Sequence, residues 1–285
     1  MSLRDAVFDG DVDQLRRLLE ISTVDIEGVG DGVLTPLMAA ACSGFDDVVQ
    51  LLLEHGANIF ATMSDGFTLL HSAASSSQFN GRCTGSTMRL FLEQAKTDAR
   101  IDVNAVASGE TALSRAVFTG TIDSMQQLLA FGADASLIDR YGRTQLHYST
   151  RKGDVEKSLL LMQYMTVSDI DVQDMDGETA MHNVAGAGMH APGAIVFSRV
   201  AERIIIVELL IGAGASSSIK NTINRTPYDA AIAKGRPQVA YVIQREATRR
   251  AIVEAVCMSL HKRVGSASRL YGLDPGVLQM ITRHL

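Results

Sequence analysis

The sequence predicts an all-α solenoid of stacked helix-turn-helix units, with short β-hairpin-like fingers and a helical cap at its C-terminal end. Three observations predict it. Segments of the form Thr-x-apolar open at Thr35, Thr68, Thr111, Thr144, Thr179 and Thr226 (TPLMAA, TLLHSA, TALSRA, TQLHYS, TAMHNV and TPYDAA), spaced by 33, 43, 33, 35 and 47 residues. A glycine stands nine residues after most of these threonines, at Gly44, Gly120, Gly153, Gly188 and Gly235. An apolar pair (Leu52-Leu53, Leu128-Leu129, Leu161-Met162) then leads to Gly56-Ala57, Gly132-Ala133 or, later, Gly214-Ala215. Self-similarity at such a period marks a repeat array, in which each unit hides its apolar face only against its neighbours.

Each element follows in order. The first unit, LRDAVFDGDVDQLRRLLE, keeps Ala6, Gly10 and Leu18-Leu19 in register but lacks the threonine. In later units a turn residue stands two before the threonine: Gly66, Gly109, Gly142, Gly177 or Asn224. Asn replaces Gly most readily where φ is positive, so that position is a tight turn. Gly32 is one residue out of register. The threonine starts a first helix, where its hydroxyl can satisfy unpaired N–H groups. Small residues such as Ala39, Ala40, Ala73, Ala74 and Ala116 let neighbouring helices approach. The glycine nine residues on is expected to end that helix in left-handed geometry. A second helix follows, with apolar residues at helical spacing, as in Val48, Val49, Leu52 and Leu53.

Two units are longer, with insertions near 77–87, 97–103 and 189–203. The last places extra residues within MHAPGAIVFSRVAE, and residues 194–208 are expected to lengthen the second helix. Insertions in repeat proteins gather on one face and often serve binding. The final unit closes without Gly-Ala. A helix over 236–262, with a break near Glu246 as an alternative, fits the spacing of Ile252, Val253, Val256 and Leu260. A short helix, DPGVLQMITRHL, follows, with Asp274 as its N-cap and Pro275 at its first position. The expected organisation is a repeat domain over 1–247 and a helical extension over 248–285 that caps the stack.

The 33-residue period, the T-P-L-H-like opening and the LLLEHGAN close resemble the ankyrin repeat. The stretch TPLMAAACSGFDDVVQLLLEHGANI is similar to that family's consensus throughout, and the resemblance covers about seven units over residues 1–247. It implies a protein–protein interaction scaffold or adaptor acting through a concave surface of fingertips and first helices, as a subunit of a larger assembly. At the tips the register names Phe67, Glu110, Tyr141, Arg143 and Glu178, with Asp65, Asp176 and Arg225. On the first helices it names Arg115, Phe118, Tyr148, Arg151, Lys152 and Asn183, with Cys42, Ser43 and Ser72. Arg115, Phe118, Tyr141, Tyr148 and Arg151 have the aromatic and arginine composition of binding hot spots. The resemblance also implies that His71, His147 and His182 bond within their own turns and to neighbouring backbone.

The C-terminal segment is loosely similar to a SOCS box or an F-box helix. This implies an alternative: a ubiquitin-ligase substrate receptor that docks through 248–285. In that case Leu273, Val277, Leu278 and Ile281 stand exposed. In a cap they pack on the last repeat.

Composition excludes other classes. A net charge of −6 argues against nucleic acid as a partner. The N-terminal MSLRDAVFDGD has no apolar core of a secretory signal. The most apolar window, 194–215, carries Arg199, Glu202, Arg203 and Glu208, so no membrane span is expected. Cys42, Cys83 and Cys257 are too few and too scattered for a disulfide framework or a metal knuckle, which suits a reducing, cytoplasmic setting, with the nucleus or a larger complex as alternatives. No H-E-x-x-H, C-x-x-C, phosphate-loop or G-x-S-x-G pattern occurs. The glycine-rich GETAMHNVAGAGMHAPG dissolves into the repeat register: Gly177 is a turn residue, His182 a turn histidine and Gly188 a helix stop, leaving only His190 unassigned. Asp46-Asp47 and Asp169-Asp171 are read as loop carboxylates. No catalytic residue, cofactor or metal is expected.

Overall fold

The computed structural model describes residues 2–21, 25–28, 34–63, 65–75, 86–97, 100–186 and 200–264. Among them fifteen helices follow in order: α1 (Leu3–Asp9), α2 (Val12–Leu19), α3 (Pro36–Ser43), α4 (Asp46–Glu54), α5 (Leu69–Ala74), α6 (Ser86–Thr97), α7 (Ala112–Thr119), α8 (Ile122–Ala130), α9 (Gln145–Lys152), α10 (Val155–Met162), α11 (Val167–Ile170), α12 (Ala180–Gly186), α13 (Val200–Gly212), α14 (Pro227–Ala233) and α15 (Pro237–Val264). Seven helix pairs repeat, with the single turn α11 set between the fifth and sixth. No strand longer than an isolated bridge forms among the described residues; the bridges are Thr62–Thr68 and Ala107–Glu110. The chain divides into two compact bodies, residues 1–149 with 156–169, and residues 150–155 with 170–285.

In the first body α1, α3, α5 and α7 pack in succession, and so do α2, α4, α6 and α8. Alanines make the first row possible: Ala39, Ala40, Ala73, Ala74 and Ala116 are all buried. The second row supplies the bulk, with Val48, Val49, Leu52, Met88, Phe91, Leu92, Met125 and Leu128 buried. Each large side chain so placed contributes about 1.5–3 kcal/mol. In the second body α12 packs on α14 and α13 on α15.

The threonines cap as expected, in two ways. Thr35 Oγ1 accepts from the Met38 N–H at 3.2 Å, and Thr226 and Asp229 form a reciprocal capping box. At Thr68, Thr144 and Thr179 a histidine takes the reciprocal role. Each threonine N–H donates to its histidine's Nδ1, at 3.3, 3.1 and 3.2 Å. Nδ1 is therefore an acceptor, and Nε2 carries the proton. That proton is donated to the next finger's carbonyl, from His71 to Glu110 at 3.1 Å and from His182 to Arg225 at 2.9 Å.

The finger residues Gly66, Gly109, Gly142, Gly177 and Asn224 all have positive φ, as do the helix stops Gly44, Gly153 and Gly235. Gly120 corrects the expectation: its backbone is extended, with φ −86° and ψ −179°. Glycine is needed there for space, since a Cβ would lie 2.6 Å from both the Ala74 carbonyl oxygen and Ala116 Cα. The end of α7 is closed instead by Lys157 of α10, whose ammonium donates to the carbonyls of Ala116, Val117 and Gly120 at 3.1, 2.9 and 3.0 Å. A cation at a helix C-terminus complements both the unpaired carbonyls and the dipole.

Two further expectations change, those for the paired carboxylates. Asp46 and Asp47 occupy the first turn of α4, and Asp169 lies in α11, so none of them is a loop residue. Acidic groups suit the positive end of a helix. The helix expected over 236–262 forms as α15, and of the two alternatives it is the one unbroken at Glu246. Gly188, His190, Cys83, Leu273, Val277, Leu278 and Ile281 lie outside the described residues, as do most of the insertions at 77–87 and 189–203.

Candidate functional site: a groove between two fingers

Two fingers of the first body flank a groove of about 160 Å³, lined on one side by Val106, Ser108, Gly109 and Glu110 and on the other by Leu137, Ile138, Asp139, Arg140 and Tyr141. Its floor is α7 along its length with its N-cap (Thr111, Ser114, Phe118) and the start of α9 (Gln145, Tyr148). The two fingers are built differently. At 139–143 the Asp139 carboxylate accepts the N–H groups of Tyr141 and Arg143, at 2.7 and 2.9 Å, holding the turn. Asp174 and Asn221 do the same in the second body. At 107–110 the hairpin is one residue shorter: Ala107 pairs with Glu110, and both central residues, Ser108 and Gly109, have positive φ, at 52° and 82°. That is the two-residue mirror-image turn that suits a twisted hairpin.

The groove's electrostatics are largely internal. Tyr148 donates its hydroxyl to Asp139. Burial, and then the bond and charge of Asp139, push the phenol up to about 12, with Arg143 opposing. The Phe118 and Tyr148 rings meet at 4.6 Å, tilted by 60°. Arg115 pairs with Glu110 at 3.1 Å, bonds Ser75 Oγ at 2.8 Å and lies 4.8 Å from the Phe67 ring centre. Arg140 and Arg143 lie 4.9 and 5.4 Å from the Tyr141 ring centre. Val106, Ile138 and Tyr141 are exposed, at 64%, 61% and 42%.

Of the expected surface residues, Glu110, Phe118, Tyr141 and Tyr148 line the groove, Arg143 lies against Tyr141, Arg115 pairs with Glu110, and Phe67 stands one contact further out beside Arg115. Phe118 is half-buried, its ring shared between helix packing and the groove floor. Arg151 and Lys152 are exposed and Glu178 half-buried in the second body, where the Arg151 carbonyl accepts from Arg203. Asn183 corrects the reading: it is buried, and its Nδ2 has no partner, so it is not a surface residue. Cys42, Ser43 and Ser72 are buried too, because small side chains on closely packed first helices are shaded by their neighbours. Sequence reasoning missed the Asx turns, although Asp139, Asp174 and Asn221 recur five residues before their threonines. It also missed Val106, Ile138 and Gln145. Only Gln145 carried a signal, as the one polar residue at the second position of the six Thr-x-apolar segments.

The turn histidines are all occupied in structural bonds. Among the described residues no group of three or more His, Cys, Asp or Glu side chains could hold a metal ion, and no helix is long and apolar enough to cross a membrane.

Helix pairs capped this way, with glycine- or asparagine-turned fingers, define a repeat protein whose contact surface is separate from its core. A model of ankyrin repeats in three copies matches residues 3–83 and 80–174, more than half of the chain, and the chain belongs to the ankyrin-repeat family. It is similar to the B-cell lymphoma 3 protein homolog of Mus musculus, at 28% identity over 195 residues, 68% of this chain and 38% of that protein. It is also similar to Palmitoyltransferase AKR1 of Lachancea kluyveri, at 34% identity over 49% of this chain and 18% of that protein. The chain therefore spans less than half the length of these relatives. Among solved structures, the ankyrin repeat domain of Bcl-3, described as a unique member of the IkappaB protein family, superposes with a TM-score of 0.66 at 26% identity, covering 86% of this chain and 98% of that one. The solenoid fold is shown, and it is a non-catalytic fold that generally mediates protein–protein interaction.

Proposed function

We propose that this chain is a non-enzymatic scaffold or adaptor that binds a partner protein through the groove between the fingers at 106–110 and 137–143, in a cytoplasmic, reducing setting. The observation that carries the reading is the groove itself. Exposed Val106, Ile138 and Tyr141 stand beside arginines on a rigid, alanine-packed frame. Exposed aromatic and arginine side chains around a concavity have the composition of interaction hot spots, which on truncation cost about 2 kcal/mol or more. The sparse, scattered cysteines, with Cys42 buried in α3, support the compartment.

The test is partner recovery. Full-length protein and an Ile138→Ser/Tyr141→Ser double variant are used for affinity purification with mass spectrometry. The variant is expected to lose a specific partner by about 30-fold, with an unchanged circular dichroism spectrum. Undiminished recovery of every partner would overturn the reading.

A further inference from the structure

We infer that the groove takes an acidic peptide of the partner protein, with one apolar side chain entering between the fingers and a neighbouring Asp or Glu closing on Arg140. This rests on the protein-binding reading above and names the chemistry of the partner. The charged groups at the groove sort into engaged and open. Glu110 is paired with Arg115 at 3.1 Å. The Asp139 carboxylate accepts two N–H groups of its own turn and the Tyr148 hydroxyl. Arg143 faces that hydroxyl, where it opposes the upward push on the phenol. Arg140 remains. It is exposed, makes no hydrogen bond or ion pair among the described residues, and holds its guanidinium 4.9 Å from the Tyr141 ring centre.

A guanidinium over an aromatic ring is steadied by it and still offers a fork of N–H donors that matches a carboxylate. One open fork fits the single charge of an Asp or Glu. A phosphoryl group, with nearly two charges and three oxygens, is held by clusters of arginines. The finger is also a local exception in charge. Residues 139–143 set two arginines against one carboxylate, whereas 107–110 and 174–178 carry acidic groups and no basic one, in a chain whose net charge is −6. The apolar half of the motif follows from the walls. Val106 and Ile138 stand exposed on opposite sides of the groove, with Tyr141 beside Arg140. At about 160 Å³ the space matches a cavity of about 150 Å³ that holds one benzene, so it takes one large side chain. A basic peptide is repelled by Arg140, and a purely acidic one leaves Val106 and Ile138 in water. An Asp or Glu next to an apolar residue satisfies both.

The test uses the full chain, labelled with ¹⁵N, titrated with the acetylated and amidated peptide Ser-Gly-Leu-Glu-Gly-Ser and three relatives. In these, Gln or phosphoserine replaces the Glu, or Ala replaces the Leu. Peptides this short bind weakly, so saturable shifts of residues 106–110 and 138–143 are the readout. The Leu-Glu peptide is expected to bind about fivefold more tightly than the Gln peptide, the upper range for an exposed ion pair, and the preference should shrink in 1 M salt. Arg140→Gln changes an exposed side chain and leaves the turn bonds of Asp139 in place. It is expected to erase the preference for Glu over Gln and keep that for Leu over Ala, and Ile138→Ser to do the reverse. Four results would overturn the inference: no saturable shift, equal binding of the Gln or the Ala peptide, survival of the Glu preference in Arg140→Gln, or tighter binding of the phosphoserine peptide, which would mark a phosphoryl site. Partner recovery lost in Ile138→Ser/Tyr141→Ser but undiminished in Arg140→Gln would sink the acidic motif alone. Selective peptide binding with no partner recovered would instead sink the protein-binding reading alone.

Discussion

Lys157→Met tests how the fourth helix pair is closed. Lys157 Nζ reaches three carbonyls at the end of α7. Ala116 keeps a partner when the ammonium is removed, because its carbonyl also accepts the Gly120 N–H at 3.0 Å. The carbonyls of Val117 and Gly120 lose theirs. Two such losses at about 1 kcal/mol each, plus about 0.5–1 kcal/mol for the cation at a helix C-terminus, give about 2–3 kcal/mol. Methionine keeps the unbranched apolar stem, so the packing of the side chain is retained. In a chain this long each kcal/mol lowers the melting temperature by about 2–4 °C, so a fall of about 5–10 °C is expected.

Urea and thermal unfolding followed by circular dichroism measure the effect, and Lys157→Arg should recover part of it. The loss should persist in 1 M salt, because short half-buried hydrogen bonds are screened far less than distant surface charges. A Lys157→Met protein within about 0.5 kcal/mol of wild type, the usual range for a surface substitution, would refute the cap.

Other substitutions follow from the same geometry. Gly120→Ala should cost about 1–3 kcal/mol by overpacking, although its φ is negative, because the added methyl meets Ala74 and Ala116; unfolding near wild type would show that the helices can part there. Asp139→Asn should keep its finger, as Asn221 does in its own turn, whereas Asp139→Ala should lose about 1–3 kcal/mol. In ultraviolet titration the Tyr148 phenol, at about 12 in wild type, should ionise at lower pH in Asp139→Asn, and no change would contradict the assigned bond. His71 is held below its ordinary value of 6.5, first by burial. Below pH 6.5 the unfolded chain therefore binds more protons than the folded one. Stability should be full above 6.5, fall as pH drops through that value, and level off once the folded-state value is passed. Unfolding midpoints measured between pH 7.5 and 5 should show less of this slope in His71→Gln.

The repeat was legible because stacking imposes the same demand many times. Thr35, Thr111 and Thr226 cap, Gly44 and Gly153 stop, and Ala39 and Ala73 allow approach for reasons that recur every unit, so each position confirms the others. Gly120 shows the limit. Its letter matched the register, but its conformation depends on Lys157, which is 37 residues away and belongs to the next pair. No local pattern announces such a cap. Burial of Asn183, Cys42 and Ser72 was hidden for a related reason: a register tells which way a side chain points from its helix, and only the neighbouring helix decides whether water reaches it.

The site lies where two departures from the repeat meet. Finger length is one: Asp139 closes on Arg143 across three residues, whereas Ala107 closes on Glu110 across two. A finger one residue shorter than its neighbour reaches less far, and the difference leaves Ile138 and Tyr141 uncovered beside it. Gln145 is the other, a carboxamide at a position where the five other threonine-headed first helices bury an apolar side chain. Neither departure helps the stack. The short finger forfeits the side-chain-capped turn that Asp139, Asp174 and Asn221 provide, and Gln145 leaves a carbonyl unpaired. An unpaired buried atom alone does not mark a site, since Gln127, Asn183 and Glu202 carry one too; it is the short finger, with exposed Ile138 and Tyr141 beside it, on which the proposed protein-binding reading rests.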